Sequence, residues 1–234
     1  KLMLPAVIGS SVAQINLLLD TVIASFLVAG SVTWLYYSDR LLEFPLGIFG
    51  IAIATVILPT LSKQHARGSA DEFNQTLNWA SRLVLVISIP ACIGLFLLAA
   101  PVLTTLFQYG EFTASDTYLS SLSLMAYIAG LPAFILIKIL APGFYARQDT
   151  KTPVRIGIIA LVTNMVLNIL FVVPLVMVGY EAPHVGLALA TSCSAYLNAF
   201  MLYRGLRKID VFQPTKGWAK LLTQITIAGI AMAA

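Results

Sequence analysis

The sequence is short of charge. Asp, Glu, Lys and Arg together make up 10% of the 234 residues, while 59% are hydrophobic. An ordinary soluble domain carries about a quarter charged residues, so water is excluded as the solvent for most of this surface. Cysteine and histidine are almost as scarce, with two of each: Cys92, Cys193, His65 and His184. Both thiols sit among apolar residues and read as small packing groups, and neither histidine has a Cys or carboxylate at ligand spacing, so no metal centre of that kind is expected. A G-x-S-x-G elbow, a phosphate loop and a dinucleotide fingerprint are all missing. Nucleotide hydrolysis and covalent catalysis therefore have no support, and the chain is not expected to be an enzyme. Strict period-2 alternation is absent as well, which argues against a membrane β-barrel.

Long apolar runs are present instead. A helical crossing needs about 20 predominantly apolar residues, and such stretches occur at about 3–29, 40–61, 80–100, 117–142, 154–178, 184–203 and 217–234. Inside hydrocarbon every backbone group must be bonded within its own segment, so the expected fold is all-α, a polytopic transmembrane bundle of about seven spans. Of the 14 Lys and Arg residues, all but Arg40 and Lys138 fall at Lys1 or in the segments that alternate crossing places on one side. The opposite segments, around 29–38, 101–116 and 179–183, have no Lys or Arg and carry Glu111, Asp116 and Glu181. The positive-inside rule then makes the basic segments cytoplasmic, and the first span runs outward. Basic residues so placed set topology and meet lipid headgroups. A nucleic-acid surface is not expected. Starting at Lys1 and stopping at Ala234 inside an apolar run, the sequence reads as a piece of a larger transporter.

Prolines mark nearly every span or its end. Pro90 and Pro132 have apolar residues on both sides and predict bends, since an internal proline removes a donor. Small residues spaced by four, Gly186 with Ala190 and Ala188 with Ser192, predict close helix packing. The stretch Phe107-Gln-Tyr-Gly-Glu-Phe112 predicts a turn or short helix at the outer interface, and Pro153 is placed to open a helix after a polar inner loop.

Two constellations carry chemistry. In Tyr36-Tyr-Ser-Asp-Arg-Leu-Leu-Glu43, Asp39, Arg40 and Glu43 share a helical face with Tyr36 one turn away. A charge at the centre of a membrane helix costs roughly 2.5 to 3.5 kcal/mol on the insertion scale, so such a cluster needs a role. An interfacial helix end is one reading. The other puts Arg40 in a wet cavity as a bidentate anion contact, with Asp39 and Glu43 orienting it. The second constellation is Asp20, with Asn16 one turn earlier, together with Asn164 and Asn168 and the hydroxyl of Thr191. Oxygen donors from three helices suit a hard cation such as Na+; interhelical hydrogen bonding or a proton on Asp20 are the alternatives. Lys138 is expected to snorkel to the cytoplasmic interface.

The stretches Tyr36-Tyr-Ser-Asp-Arg-Leu-Leu-Glu-Phe-Pro45, Ile57-Leu-Pro-Thr-Leu-Ser-Lys63, Leu106-Phe-Gln-Tyr-Gly110 and, above all, Leu140-Ala-Pro-Gly-Phe-Tyr-Ala-Arg-Gln-Asp-Thr-Lys-Thr-Pro-Val154 resemble the MurJ (MviN) lipid II flippases. That family belongs to the multidrug/oligosaccharidyl-lipid/polysaccharide exporter superfamily. The resemblance runs along essentially the whole chain and implies spans seven to thirteen of a fourteen-helix, two-lobed protein. It implies that Arg40 corresponds to an arginine that binds the lipid diphosphate and Glu43 to its acidic neighbour. It also implies that Asp20, Asn164, Asn168 and Thr191 match a sodium site described for some members. The activity it implies is translocation of lipid II across the bacterial cytoplasmic membrane by alternating access, in support of cell-wall synthesis. The expected partners are lipid II, membrane lipids and the N-terminal lobe of the same protein. No cofactor is expected beyond Na+ as a coupling ion. A multidrug or polysaccharide-lipid exporter of the same superfamily and a non-transporting membrane scaffold are the competing readings.

Overall fold

The computed structural model describes the backbone of residues 3–233 and the side chains of residues 12–232. Lys1, counted above with the inner charges, lies outside the described residues. The chain forms α1 (Met3–Ser25), α2 (Ser31–Pro45), a π-helical segment (Leu46–Ile51), α3 (Ala52–Ala66), α4 (Ala70–Leu97), α5 (Ala99–Phe107), α6 (Ala114–Ala129), α7 (Leu131–Tyr145), α8 (Lys151–Met177), α9 (Val185–Lys208) and α10 (Trp218–Ala233). There is no strand among the described residues, and the all-α expectation holds. Four helical paths are each long and apolar enough to cross a membrane: Ser31–Ala66, α4, α8 and α9. The pair α6 and α7 makes a fifth, bent by 41° at its break. The apolar helices α1 and α10 add two further paths, and the nine-residue α5 lies between α4 and α6.

The helices differ from the apolar stretches in extent, because hydropathy sees only what hydrocarbon requires. The second stretch, read from 40, belongs to a helix that begins at Ser31. Its first nine residues are half polar and aromatic, and the reversal before them is made by Gly30, whose φ of 100° is left-handed. A Cβ at Gly30 would stand 2.6 Å from the Trp34 ring, so the turn and the ring fit together only without a side chain there. The third stretch, read from 80, lies in a helix that begins at Ala70 and so starts outside the apolar region.

Packing inverts the soluble pattern. Along α8, Ile156, Ala160, Asn164, Asn168 and Val172 are buried at four-residue spacing, while Val162, Val166, Ile169, Leu170 and Val173 are exposed. A helix whose outer face is apolar and whose inner face holds amides is built for lipid outside and polar pairing inside. The close approach read from small residues is present: Gly186, Ala188, Ala190 and Ser192 are all buried, and a Cβ at Gly186 would meet the backbone of Phe171 and Val172 at 3.2 Å.

Two of the helical paths are broken by identifiable chemistry. Pro45 has no N–H to give the carbonyl one turn back, and the ladder widens into the π segment directly after it. The break between α6 and α7 is at Gly130, not at Pro132, which occupies the second position of α7. Ser192 of α9 lies against that break. Its hydroxyl donates to the Ala126 carbonyl at 2.7 Å, and a Cβ at Gly130 would stand 2.9 Å from its Cα. Pro90, expected to bend its span, sits inside an unbroken α4.

Candidate functional site

The Arg40 cluster stands on α2, nine residues in from Ser31, or about 13 Å along the axis at 1.5 Å per residue. It therefore stands inside the helical path Ser31–Ala66 and not at its end. The Arg40 guanidinium donates to Glu43 Oε2 at 2.8 Å and lies over the Tyr36 ring at 4.9 Å. Both charged side chains are 53% exposed in this lobe. Asp39 is half-buried and, contrary to the expectation that it orients Arg40, makes no ion pair with it. The reason is geometric: adjacent helical positions diverge by about 100°, whereas positions three apart meet.

The expected wet cavity is not closed by these residues. Two clefts of the lobe lie at its ends. One of about 180 Å³ is bordered by Gln64, His65, Arg147 and Asp210, the other, of about 300 Å³, by Tyr118, Val178, Tyr180 and Glu181. Neither includes Arg40, which faces open space on the surface of the lobe.

What holds α2 in place was only partly legible in the sequence. Tyr37 packs on Phe107 at 4.7 Å and on Phe112 at 4.9 Å, so the turn after α5 braces α2 from behind. Ser38 donates to the Ser120 carbonyl at 2.7 Å, tying α2 to α6. At the outer end Trp34 Nε1 donates to Asp116 Oδ1 at 2.8 Å, and the same carboxylate closes a capping box with Thr113 at the start of α6. The Trp34 ring also stacks on His184, centroids 4.8 Å apart. His184 lies in the outer loop just before α9, with Nε2 facing the Leu119 carbonyl at 3.2 Å and Nδ1 without a partner. Burial pushes its pKa down to about 4, against the pull of that carbonyl. Sequence reasoning passed over this latch, since its members are 82 and 150 positions apart; the one available signal was an acidic Asp116 in a segment otherwise ready to start a helix.

The second constellation is assembled as its residue types suggested. Asp20 is 6% exposed, and Asn164 and Asn168 are essentially inaccessible. Asn168 Nδ2 donates to Asp20 Oδ1 at 2.7 Å, and its side-chain amide lies 3.1 Å from that of Asn164. Asn16 Nδ2 and Thr191 Oγ1 reach Asp20 Oδ2 at 3.1 and 3.2 Å. The Thr191 hydroxyl has a competing acceptor in the Leu187 carbonyl at 3.0 Å. α1, α8 and α9 thus converge on one carboxylate. Two features remain unbalanced. Every donor to Asp20 is neutral, and no Lys or Arg pairs with it among the described residues. Asn168 Oδ1 is buried with no hydrogen-bond donor. A carboxylate, an orphaned amide oxygen and a hydroxyl make an oxygen set that fits a small hard cation. No group of three His, Cys, Asp or Glu suited to a transition metal occurs among the described residues.

Comparison with known proteins agrees with this architecture. The sequence profile of the family described as "Lipid II flippase MurJ" matches residues 1–234. The chain belongs to the MurJ family. A probable lipid II flippase MurJ of Haemophilus influenzae is 55% identical over 240 residues, covering 100% of this chain and 46% of that protein. The lipid II flippase MurJ of Burkholderia cenocepacia is 42% identical and covers 99% of this chain and 43% of its own length. A solved MurJ structure in an inward closed conformation superposes with a TM-score of 0.81 at 29% identity, covering 96% of this chain and 44% of that one. An outward-facing multidrug-resistance MATE transporter superposes with a TM-score of 0.77 at 16% identity, which shows a shared fold alone. The chain spans about half the length of the curated MurJ relatives it matches, as one lobe of a two-lobed transporter would. MurJ-family membership makes it a multi-pass membrane chain of a transporter family and not an enzyme.

Proposed function

We propose that this lobe supplies the Arg40-bearing half of a lipid II site, and that the complete protein carries lipid II across the bacterial cytoplasmic membrane by alternating access, supporting cell-wall synthesis. The observation that carries the reading is a guanidinium inside an apolar helical path on an open face, paired with an exposed carboxylate one turn away and lying over the Tyr36 ring. Lipid II combines a sugar-peptide headgroup and a diphosphate with a polyprenyl tail. Moving the diphosphate through hydrocarbon without a partner is prohibitive, whereas a cleft open to the side lets the tail stay in lipid. Arg40 offers the planar fork that matches phosphate oxygens. Glu43 keeps the guanidinium paired until phosphate replaces it, and an exposed pair of this kind is weak enough to exchange. The N-terminal lobe would close the other wall, and rocking of the two lobes would move the site from inner to outer access.

The Asp20 cluster supports Na+ as the coupling ion. It lies on the three helices α1, α8 and α9, and its unmatched oxygens are the kind a cation satisfies. Asp20, Asn168 and Thr191 would hold the ion, with Asn164 fixing Asn168. Membrane potential contributes about 2.3 kcal/mol per charge per 100 mV to such a cycle.

The test is Arg40→Ala in the full-length protein, assayed for lipid II flipping in liposomes or cells. Flipping is expected to be lost while the thermal melt is kept. Normal flipping would remove Arg40 from the site and the reading with it.

A further inference from the structure

Arg40 and Lys138 are the two basic residues that fall outside the inner basic segments, and the Lys138 stem packs against the helical path that carries Arg40. The path α6–α7 runs from the outer loop to the inner one, and side chains on a helix tilt toward its N-terminus. The Lys138 Cβ therefore leans back along α7, away from its inner end. The inner end of α7, Tyr145, is seven residues further on, or about 10 Å in the opposite direction. The stem has a seat. A Cβ at Gly50 would stand 3.6 Å from Lys138 Cγ, so this buried glycine of the π segment leaves the groove along which the lysine lies. Gly50 is on the helical path that carries Arg40, ten residues further inward. Lys138 is exposed and has no ion-pair or hydrogen-bond partner among the described residues. An unpaired ammonium at bilayer depth marks a functional position.

We propose that Lys138 is a second, inner contact for the anionic part of the substrate, met from the cytoplasmic side before Arg40. This rests on the lipid II reading above. Arg40 and Gly50 are separated by about 15 Å along the helix axis, and a diphosphate is far shorter than that. The two cations hold it in turn, not together. Their chemistry differs in the useful sense: lysine is a hydrated point charge that captures and releases, while arginine grips through two parallel hydrogen bonds. Arg40 has Glu43 to compete with an incoming phosphate, and Lys138 has no such competitor.

The experiment compares wild type, Lys138→Gln, Lys138→Arg and Arg40→Ala in the full-length protein, reconstituted in liposomes with lipid II, measuring flipping against lipid II concentration and the thermal melt of each variant. Lys138→Gln is expected to raise the half-maximal lipid II concentration roughly tenfold, the loss of one charge-assisted contact, with maximal flipping and melting temperature little changed. Lys138→Arg is expected to restore it. A half-maximal concentration equal to wild type in Lys138→Gln, with Arg40→Ala inactive, overturns the inner contact and leaves the lipid II reading standing. Equal damage in Lys138→Gln and Lys138→Arg with lowered melting temperatures makes Lys138 a packing residue and also overturns it. Normal flipping by Arg40→Ala is the outcome that fells the underlying reading instead.

Discussion

The two polar clusters are opposites in construction. Around Asp20 three helices close on one carboxylate, and its amides are buried to within a few per cent of complete. Around Arg40 one helix presents its charges to open space, with an ion pair half exposed. The first is closed within the chain; the second lies open on its surface. Ion recognition needs a rigid cage of fixed oxygens, whereas a bulky headgroup needs a cleft that opens and closes between two bodies. On the function proposed above, coupling belongs inside the lobe and transport at its face.

The strongest way to break that contrast is Arg40→Ala. Because Arg40 is exposed here, the variant should lose transport altogether while melting like wild type; a collapse of stability would mean that Arg40 is structural and the clusters are less different than they look. Next in size is Asp20→Asn. In the wild type, Na+ should raise the melting temperature of the purified full-length protein, and in the variant that rise should vanish. An equal Na+ shift in both would leave the Asp20 cluster a hydrogen-bonded knot.

Smaller effects probe the frame that holds each cluster. Gly130→Ala forces a methyl to within 2.9 Å of the Ser192 backbone, an overpacking that should cost about 1 to 3 kcal/mol. Since Ser192 sits on α9 one residue after Thr191, the variant should also weaken the Na+ shift, and an unaltered melt in detergent would show that the α6–α7 break is soft. The smallest effect concerns the outer latch behind Arg40. His184 is depressed from the ordinary 6.5 to about 4 by burial, so between those values the unfolded chain takes up a proton that the folded chain refuses. Stability should therefore fall as pH drops from about 6.5 to about 4 and level off below. His184→Gln should flatten that part of the melting profile; an unchanged slope would assign it to other groups.

Particular residues show where sequence reading reached its limit. Asp20, Asn164, Asn168 and Thr191 were legible because polar groups inside apolar runs are costly and must find one another. The pairing of Arg40 with Glu43 followed from helical spacing alone. The exclusion of Asp39 from that pair, the start of α2 at Ser31 and the bend at Gly130 in place of Pro132 did not follow. Hydropathy reports the part of a helix that meets hydrocarbon, and helices continue past it wherever caps allow. The seat of the Lys138 stem was not legible either: only the structure lays its Cγ against Gly50, 88 positions away in sequence.

Composition, charge placement and residue spacing by themselves determined that this chain is a bundle of membrane-crossing helices and which buried polar groups must meet. Those outcomes follow from the bilayer, which taxes every unpaired polar group in the same way wherever it occurs. The tertiary structure alone decided which face of each helix is closed and which is open. That choice depends on contacts between residues far apart in sequence, such as Trp34 with His184 and Gly130 with Ser192, and no local pattern encodes it.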